Sequence, residues 1–264
     1  MRPVLFNIGS ITVHSHGTMM GIAFMAGILI AMARAEKLKI NPDAILNLGI
    51  VAIITSIVGA RLLFVVENFD RFMRSPIDII MIQRGGLTFY GGFIGGYLSS
   101  VAYLRLKGLR IWKVGDLLAP SIILGLGITR IGCFLNGDDF GTPTDLPWGI
   151  SFPAGSFANQ IAGDQNLHPT QLYEMAVAFI MVGVLIFMER RKKFDGQVFW
   201  RLVIISGVAR FFIEFVRGDM IVRAYIGNPF WNNARIIGLI GSVIAIFMMI
   251  RLSKVKEAVL QTAA

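Results

Sequence analysis

Seven long apolar segments constrain this sequence most, because a helix of about 20 apolar residues is what crosses the hydrocarbon core of a bilayer. One segment contains Asp116, and a further run at 77–82 is too short to span. The pattern predicts an all-α, polytopic transmembrane helical bundle of about seven spans. The predicted spans are Gly17–Ala33, Ala44–Val66, Gly86–Leu104, Val114–Ile128, Thr170–Met188, Val198–Phe215 and Ile236–Leu252.

The composition agrees with a membrane protein that has short loops. Only 16% of the 264 residues are charged and 55% are hydrophobic, whereas about a quarter of a soluble domain is charged. The net charge of +9 comes from short basic runs between apolar segments, so we expect membrane lipids rather than nucleic acid as partners. Cys133 is the only cysteine, which excludes an internal disulfide and a multi-cysteine metal site. We expect one domain over residues 1–264.

The lysines predict the orientation of the bundle. Every lysine lies within 34–39, 105–113, 190–193 or 251–256, and these segments share one side of a seven-span bundle. By the positive-inside rule that side is cytoplasmic, so the N-terminus is expected outside and the C-terminus inside. The longest non-spanning stretch, 129–169, then forms a polar segment on the outer side.

Among the ionisable residues within or against predicted spans, four are candidates for chemistry: Arg61, Arg130, Arg210 and Glu214. A charge at the centre of a bilayer costs roughly 2.5–3.5 kcal/mol, so such residues usually face a partner or a cavity. Arg210 and Glu214 are four residues apart and share a helix face, with Arg217 one turn further along. Two interpretations stay open, a structural ion pair between helices and an arginine site for a phosphate.

Other reactive side chains also have a simple structural interpretation. Asp138 and its neighbour Asp139 suit a loop, where they are solvated or cap a helix. His168 suits the first turn of a helix, and His16 suits packing at the membrane interface. A single cysteine such as Cys133 is more often a small buried hydrophobic residue than a nucleophile. These residues alone do not identify a reaction.

A resemblance to a known family does suggest one. Residues 129–141, TRIGCFLNGDDFG, resemble the signature Gly-Arg-x-Gly-Asn-Phe-x-Asn-x-Glu-x-x-Gly of bacterial prolipoprotein diacylglyceryl transferases. Three further blocks are similar to that family in order and spacing: Gly85–Gly92, His168–Glu174 and Arg210–Arg217. The four blocks cover nearly the whole chain, so together they are far more specific than any one of them.

Four departures from the family pattern affect side chains that could carry chemistry. Cys133 replaces the signature asparagine and Asp138 its glutamate, Tyr90 stands where the third span usually carries histidine, and His16 stands where the first span usually carries tyrosine. Two alternatives therefore stay open beside an active enzyme. One is a divergent paralogue, non-catalytic or with altered substrate choice, and the other is a small transporter that binds anions or lipids.

The resemblance implies a transferase of the bacterial inner membrane with a periplasmic N-terminus. It would move the diacylglyceryl group of phosphatidylglycerol onto the lipobox cysteine thiol of a prolipoprotein, the first step of lipoprotein maturation. Glycerol phosphate would be released, and the resemblance implies no cofactor or metal.

The resemblance also implies roles for individual residues. Arg130 and Arg210 would bind the leaving phosphate, and Glu214 and Asp138 would orient those arginines or bind headgroup hydroxyls. His168 is the favoured general base, and Cys133 is not expected to be a covalent catalyst. The predicted substrate-binding residues are Arg130, Asn136, Gly141, Tyr90, His16, Cys133 and Arg217.

Overall fold

A computed structural model describes residues 1–9, 11–81, 85–218 and 232–262, which form nine α-helices. Four short strands form two small sheets, β1 (Val4–Ile8) with β2 (Ile11–His14) and β3 (Ile150–Ser151) with β4 (Asn166–Leu167). The helices are α1 (Ser15–Lys37), α2 (Pro42–Glu67), α3 (Phe69–Arg74), α4 (Phe89–Leu106), α5 (Ile111–Asn136), α6 (Phe157–Ala162), α7 (Thr170–Glu189), α8 (Gln197–Ile213) and α9 (Asn233–Thr262).

The prediction of an all-α polytopic membrane protein is confirmed, but the count of seven spans is corrected to five. Among the described residues, five helices are long and apolar enough to cross a membrane: α1, α2, α5, α7 and the part of α9 at Ala234–Val255. The other two predicted spans do form helices. However, glycine, serine and tyrosine make α4 less apolar, and α8 has only 17 residues because it ends at Ile213.

The chain divides into two compact units. The first consists of Met1–Leu29 and Gly115–Ala264, and the second of Ile30–Val114. That residues 1–264 act as one domain stays a prediction.

In the second unit, α2 and α4 pack antiparallel through small residues. Gly59 and Gly91 lie so close that a Cβ atom on either would overlap the backbone oxygen of the other. Nearby, the hydroxyls of Thr55 and Ser99 form a hydrogen bond of 2.6 Å between the two helices. Small residues are what permits such close helix approach where lipid removes the hydrophobic drive for association.

Arg61 of α2 has a structural role in the same unit. Its buried guanidinium donates hydrogen bonds to the backbone oxygens of Ile79, Gly85 and Gly86, at 2.8, 2.6 and 2.8 Å. Each of these carbonyls belongs to the segment between α2 and α4. The charge that the sequence places in a span therefore holds a loop in place.

In the first unit, α5 is the most buried span, with 44% of its apolar window inside the protein compared with 11% for α2. Its fully buried Asp116 accepts hydrogen bonds from the backbone N–H groups of Gly196, Val198 and Phe199, at 2.8, 2.8 and 2.9 Å. Gly196 is the N-cap residue of α8 and has no side chain to cap the helix. Asp116 thus caps α8 from a neighbouring helix and favours its positive dipole end.

We predict that Asp116→Ala destabilises the protein by about 2 kcal/mol or more, because it leaves three N–H groups of α8 without their acceptor. Thermal denaturation in detergent, followed by circular dichroism, measures the effect. The matched control is Asp145→Ala, since Asp145 is exposed. Equal denaturation midpoints for the two variants would show that the cap contributes nothing.

Candidate functional site

The site is built around the turn that follows α5. Gly137 and Asp139 both have a positive φ, at 82° and 58°, so the chain reverses direction immediately after the helix. Aspartate tolerates this left-handed conformation better than most residues with a side chain. As a result, the Asp139 carboxylate forms ion pairs with Arg130 of α5 and with Arg217, which follows α8.

These ion pairs determine the protonation of Asp139. Burial alone would raise its pKa, but the adjacent charges of Arg217 and Arg130 outweigh burial and lower the pKa to about 2. Because the folded pKa lies below the ordinary one, the stabilisation is fully present above pH 4 or so and is lost as the pH falls toward 2. Asp139 is therefore a carboxylate at any physiological pH.

The start of α7 fixes the turn. The Thr170 hydroxyl donates to the backbone oxygen of Asp139, and the Gln171 amide donates to that of Asp138, both at 2.6 Å. Thr170 and Gln171 are almost completely buried, at 0% and 1% exposed. The predicted site residue Gly141 lies in the same loop, where an added Cβ would collide with His168.

Glu174 of α7 lies at the centre of the charged residues. Its Oε1 atom is 2.6 Å from Nη1 of Arg210 and 3.1 Å from Nη1 of Arg217. Its other oxygen, Oε2, forms an ion pair with Arg130. One carboxylate, with only 8% of its side chain exposed, therefore contacts three arginines.

Glu214 completes what we call the arginine cluster: Arg130, Arg210, Arg217, Asp139, Glu174 and Glu214. Its Oε2 atom is 3.2 Å from Nη2 of Arg210 and 3.8 Å from Nε of Arg217. At the start of α9, Asn232 donates to Glu214 at 3.0 Å, and the guanidinium of Arg235 lies 3.9 Å from the Phe215 ring centroid.

The exposure of the arginines identifies the accessible part of the cluster. The side chain of Arg210 is 32% exposed, compared with 15% for Arg130 and 6% for Arg217. Among the residues that the structure describes, and with Arg235 included, four arginines face three carboxylates, so this part of the site carries more positive than negative charge. Guanidinium groups bind phosphate oxygens in pairs and stay charged in a dry site. The cluster therefore suits an anion that arrives beside Arg210.

Beside the cluster, three reactive side chains meet. Nδ1 of His16 is 3.7 Å from Sγ of Cys133, and these atoms and a carboxylate oxygen of Asp138 all lie within 4.8 Å of one another. Asn136 donates to Asp138 at 3.1 Å, and Nη1 of Arg130 is 3.6 Å from the sulfur. Burial raises the pKa of Asp138, although its hydrogen bond from Asn136 opposes the rise.

The predicted site residues thus fall into two neighbouring groups. The structure brings together Arg130, Arg210, Glu214 and Arg217 in one, and His16, Cys133, Asn136 and Asp138 in the other. Nδ1 of His168 forms a 3.1 Å hydrogen bond with the Tyr173 hydroxyl. Tyr90 is exposed and belongs to the other compact unit.

Sequence reasoning missed four members of the site: Asp139, Glu174, Asn232 and Arg235. It gave Asp138 the role of orienting the arginines, but the carboxylate that contacts Arg130 belongs to Asp139. Glu174 belongs to the block His168–Glu174 that resembles the family. An acidic residue near the start of an apolar span was the signal that could have identified it. For Asn232 and Arg235 the sequence carries no comparable signal.

Comparisons with known proteins identify the family of this chain. Residues 3–251 match the family described as prolipoprotein diacylglyceryl transferase. The chain is 36% identical over 219 residues to a phosphatidylglycerol–prolipoprotein diacylglyceryl transferase of Clostridium tetani, covering 83% of this chain and 86% of that protein. It is 32% identical to the protein of the same name from Clostridioides difficile, covering 96% of both chains. The chain therefore belongs to the prolipoprotein diacylglyceryl transferase family.

Proposed function

We propose that this protein transfers the diacylglyceryl group of phosphatidylglycerol to the lipobox cysteine of prolipoproteins. The observation that carries the proposal is the arginine cluster, in which Glu174 contacts three arginines and Arg210 stays partly exposed. The names of the relatives state the same donor lipid and acceptor protein. Family membership and a site suited to a phosphate support one reaction.

The chemistry makes clear why arginines are needed. The acceptor thiol loses its proton, and its sulfur attacks the glyceryl carbon to form a thioether. The bond from that carbon to the phosphate oxygen breaks, and glycerol phosphate leaves with the electron pair. Because negative charge grows on the phosphate as the bond breaks, cations fixed in advance lower the barrier most effectively.

Arg210 and Arg130 are the groups that we assign to the phosphate. Both side chains are partly exposed and both are held by Glu174, so neither has to be reoriented when the lipid arrives. Arg217, at 6% exposed, is a positioning residue that links Glu174 with Asp139. Glu214 similarly holds Arg210 from the following helical turn.

The acceptor thiol has an ordinary pKa near 8.5, so only a few per cent is thiolate at neutral pH. Neighbouring guanidinium groups favour the thiolate by their charge. His168, our proposed base, lies in the loop beside the cluster, where its backbone oxygen accepts a hydrogen bond from Gly141 at 2.9 Å. Its hydrogen bond with Tyr173 fixes the ring orientation.

We further propose an inner-membrane location with the N-terminus in the periplasm. Lysines stand at the end of α1, the start of α5 and beyond the end of α7, and the opposite ends of these spans have none. If each lysine-bearing end is cytoplasmic, the first residue of α1 lies on the periplasmic side, and with it the N-terminus.

The transfer assay tests the function directly. We expect label from radioactive phosphatidylglycerol to appear on a lipobox peptide, and not on the same peptide with serine in place of cysteine. Arg210→Lys should lower kcat/KM about 100-fold or more, because a point charge replaces the forked contact with the phosphate.

Arg251→Lys is the matched control for this substitution, since Arg251 is exposed near the far end of α9. Its activity should equal that of the parent. Lipid binding without transfer by the parent protein would contradict the proposed function. Full activity of Arg210→Lys would remove Arg210 from the phosphate site.

A pH–rate comparison tests the role of His168. If its imidazole is the base, His168→Gln lowers kcat and removes the acid limb of the pH–rate profile. The control is His14→Gln, which changes the other histidine that lies outside both groups of site residues. An unchanged rate and profile for His168→Gln would make His168 structural and leave thiolate formation to the arginines.

Thiol labelling in intact cells tests the orientation. A cysteine in place of exposed Lys193 should resist a membrane-impermeant maleimide, whereas a cysteine in place of exposed Asp164 should react. Both changes are made with Cys133 replaced by serine, so that the natural thiol gives no background. Labelling at position 193 from outside the cell would reverse the proposed orientation.

A further inference from the structure

Three of the four departures that affect chemically active side chains lie side by side. His16 is in the first turn of α1, Cys133 is on α5 and Asp138 is in the turn after α5, yet their nitrogen, sulfur and oxygen atoms lie within 4.8 Å of one another. The family pattern has tyrosine, asparagine and glutamate at these positions. The chain therefore replaces a phenol and an amide with an imidazole and a thiol, which are strong ligands for zinc-like metals.

We propose that His16, Cys133 and Asp138 bind a thiophilic divalent metal ion such as Zn²⁺, with a fourth coordination position open to a substrate thiol. This goes beyond the expectation of a metal-free transferase. The assignment of this thiol to the lipobox cysteine rests on the proposed function. The metal site itself does not depend on the proposed function.

The distance between the nitrogen and sulfur ligand atoms fits such an ion. Zinc bonds of about 2.3 Å to sulfur and 2.0 Å to nitrogen, at a tetrahedral angle, separate the two ligand atoms by about 3.5 Å. Nδ1 of His16 and Sγ of Cys133 are 3.7 Å apart. An ion can therefore lie between them with little movement of either side chain.

The carboxylate of Asp138 gives a second, independent reason. Its Oδ1 atom is buried and has no hydrogen-bond partner among the described residues, whereas its Oδ2 atom accepts from Asn136 at 3.1 Å. A buried carboxylate oxygen without a partner is costly and calls for an explanation. A cation held by His16 and Cys133 would satisfy it, and Asn136 would orient the ligand from behind.

The backbone around these residues is also fixed in place. A Cβ on Gly132 would lie 3.0 Å from the Cα of His16, so α1 and α5 approach closely at this point. In the last turn of α5, the backbone oxygen of Leu135 accepts a 3.0 Å hydrogen bond from the Arg2 backbone N–H. The three ligands are therefore held on a packed scaffold rather than on long loops, as a preorganised site requires.

Three protein ligands leave the fourth position of a tetrahedral ion open. An ion at this site would make a bound thiol easier to deprotonate and would hold it as a thiolate, the form that attacks carbon. The neighbouring guanidinium of Arg130, whose Nη1 is 3.6 Å from the Cys133 sulfur, joins this site to the arginine cluster. Nucleophile and leaving phosphate would thus be bound on adjacent surfaces.

Metal analysis of the purified, full-length protein tests the site without reference to activity. After equilibration with Co²⁺ and removal of excess ion, we expect about one Co²⁺ per chain and a thiolate-to-cobalt charge-transfer band in the near ultraviolet. Cys133→Asn and His16→Tyr, which introduce the residues of the family pattern, should each lose the band and weaken binding at least tenfold. His168→Gln is the control and should keep both.

Two results would overturn the metal site. One is that a monodisperse parent protein binds no Co²⁺. The other is that Cys133→Asn binds Co²⁺ as tightly as the parent and shows the same spectrum. The fourth position is tested by adding a lipobox peptide. Its thiol should intensify the charge-transfer band, while the serine peptide should not, and identical spectra with both peptides would refute an open thiol position.

The two proposals fail separately. A cobalt band without transfer of the diacylglyceryl group would refute the proposed function and keep the metal site. Full transfer by metal-free protein, in the presence of a chelator, would refute the thiol role of the metal and keep the proposed function.

Discussion

The site depends on one buried carboxylate, Glu174, which contacts Arg130, Arg210 and Arg217 from three different segments of the chain. Uncompensated guanidinium groups near a membrane would be costly, and removing one partner of a buried pair is typically more damaging than never having the pair. The turn after α5, the start of α7 and the end of α8 must therefore stay together for the arginines to remain in place. Asp139 and Glu214 secure the same cluster from either side.

This dependence explains the irregular backbone next to the spans. The left-handed Asp139 is stabilised by its two arginine contacts and by the Thr170 hydroxyl on its carbonyl. Irregular backbone at membrane depth is tolerated only where protein or a wet cavity satisfies its polar groups. Here the same hydrogen bonds that satisfy the turn also position the carboxylate, so fold and site are stabilised together.

The sequence predicts the helices well because apolar length is a local property. It overestimates the number of long apolar spans, since α4 and α8 are short helices whose packing is not visible in hydropathy. It also finds the arginines, because charge within an apolar run is conspicuous. It does not distinguish Asp138 from Asp139, since only the turn geometry decides which carboxylate faces Arg130, nor does it bring His16 next to Cys133, 117 residues away.

The central claim is that Arg210 and Arg130, held by Glu174, bind the phosphate that leaves. The most direct measurement is a structure determined with a non-reactive phosphatidylglycerol analogue bound. The account predicts phosphate oxygens within about 3 Å of guanidinium nitrogens of Arg210 or Arg130, with the glyceryl carbon facing His16 and Cys133. A phosphate bound elsewhere, with the arginine cluster contacting only its own carboxylates, would contradict it.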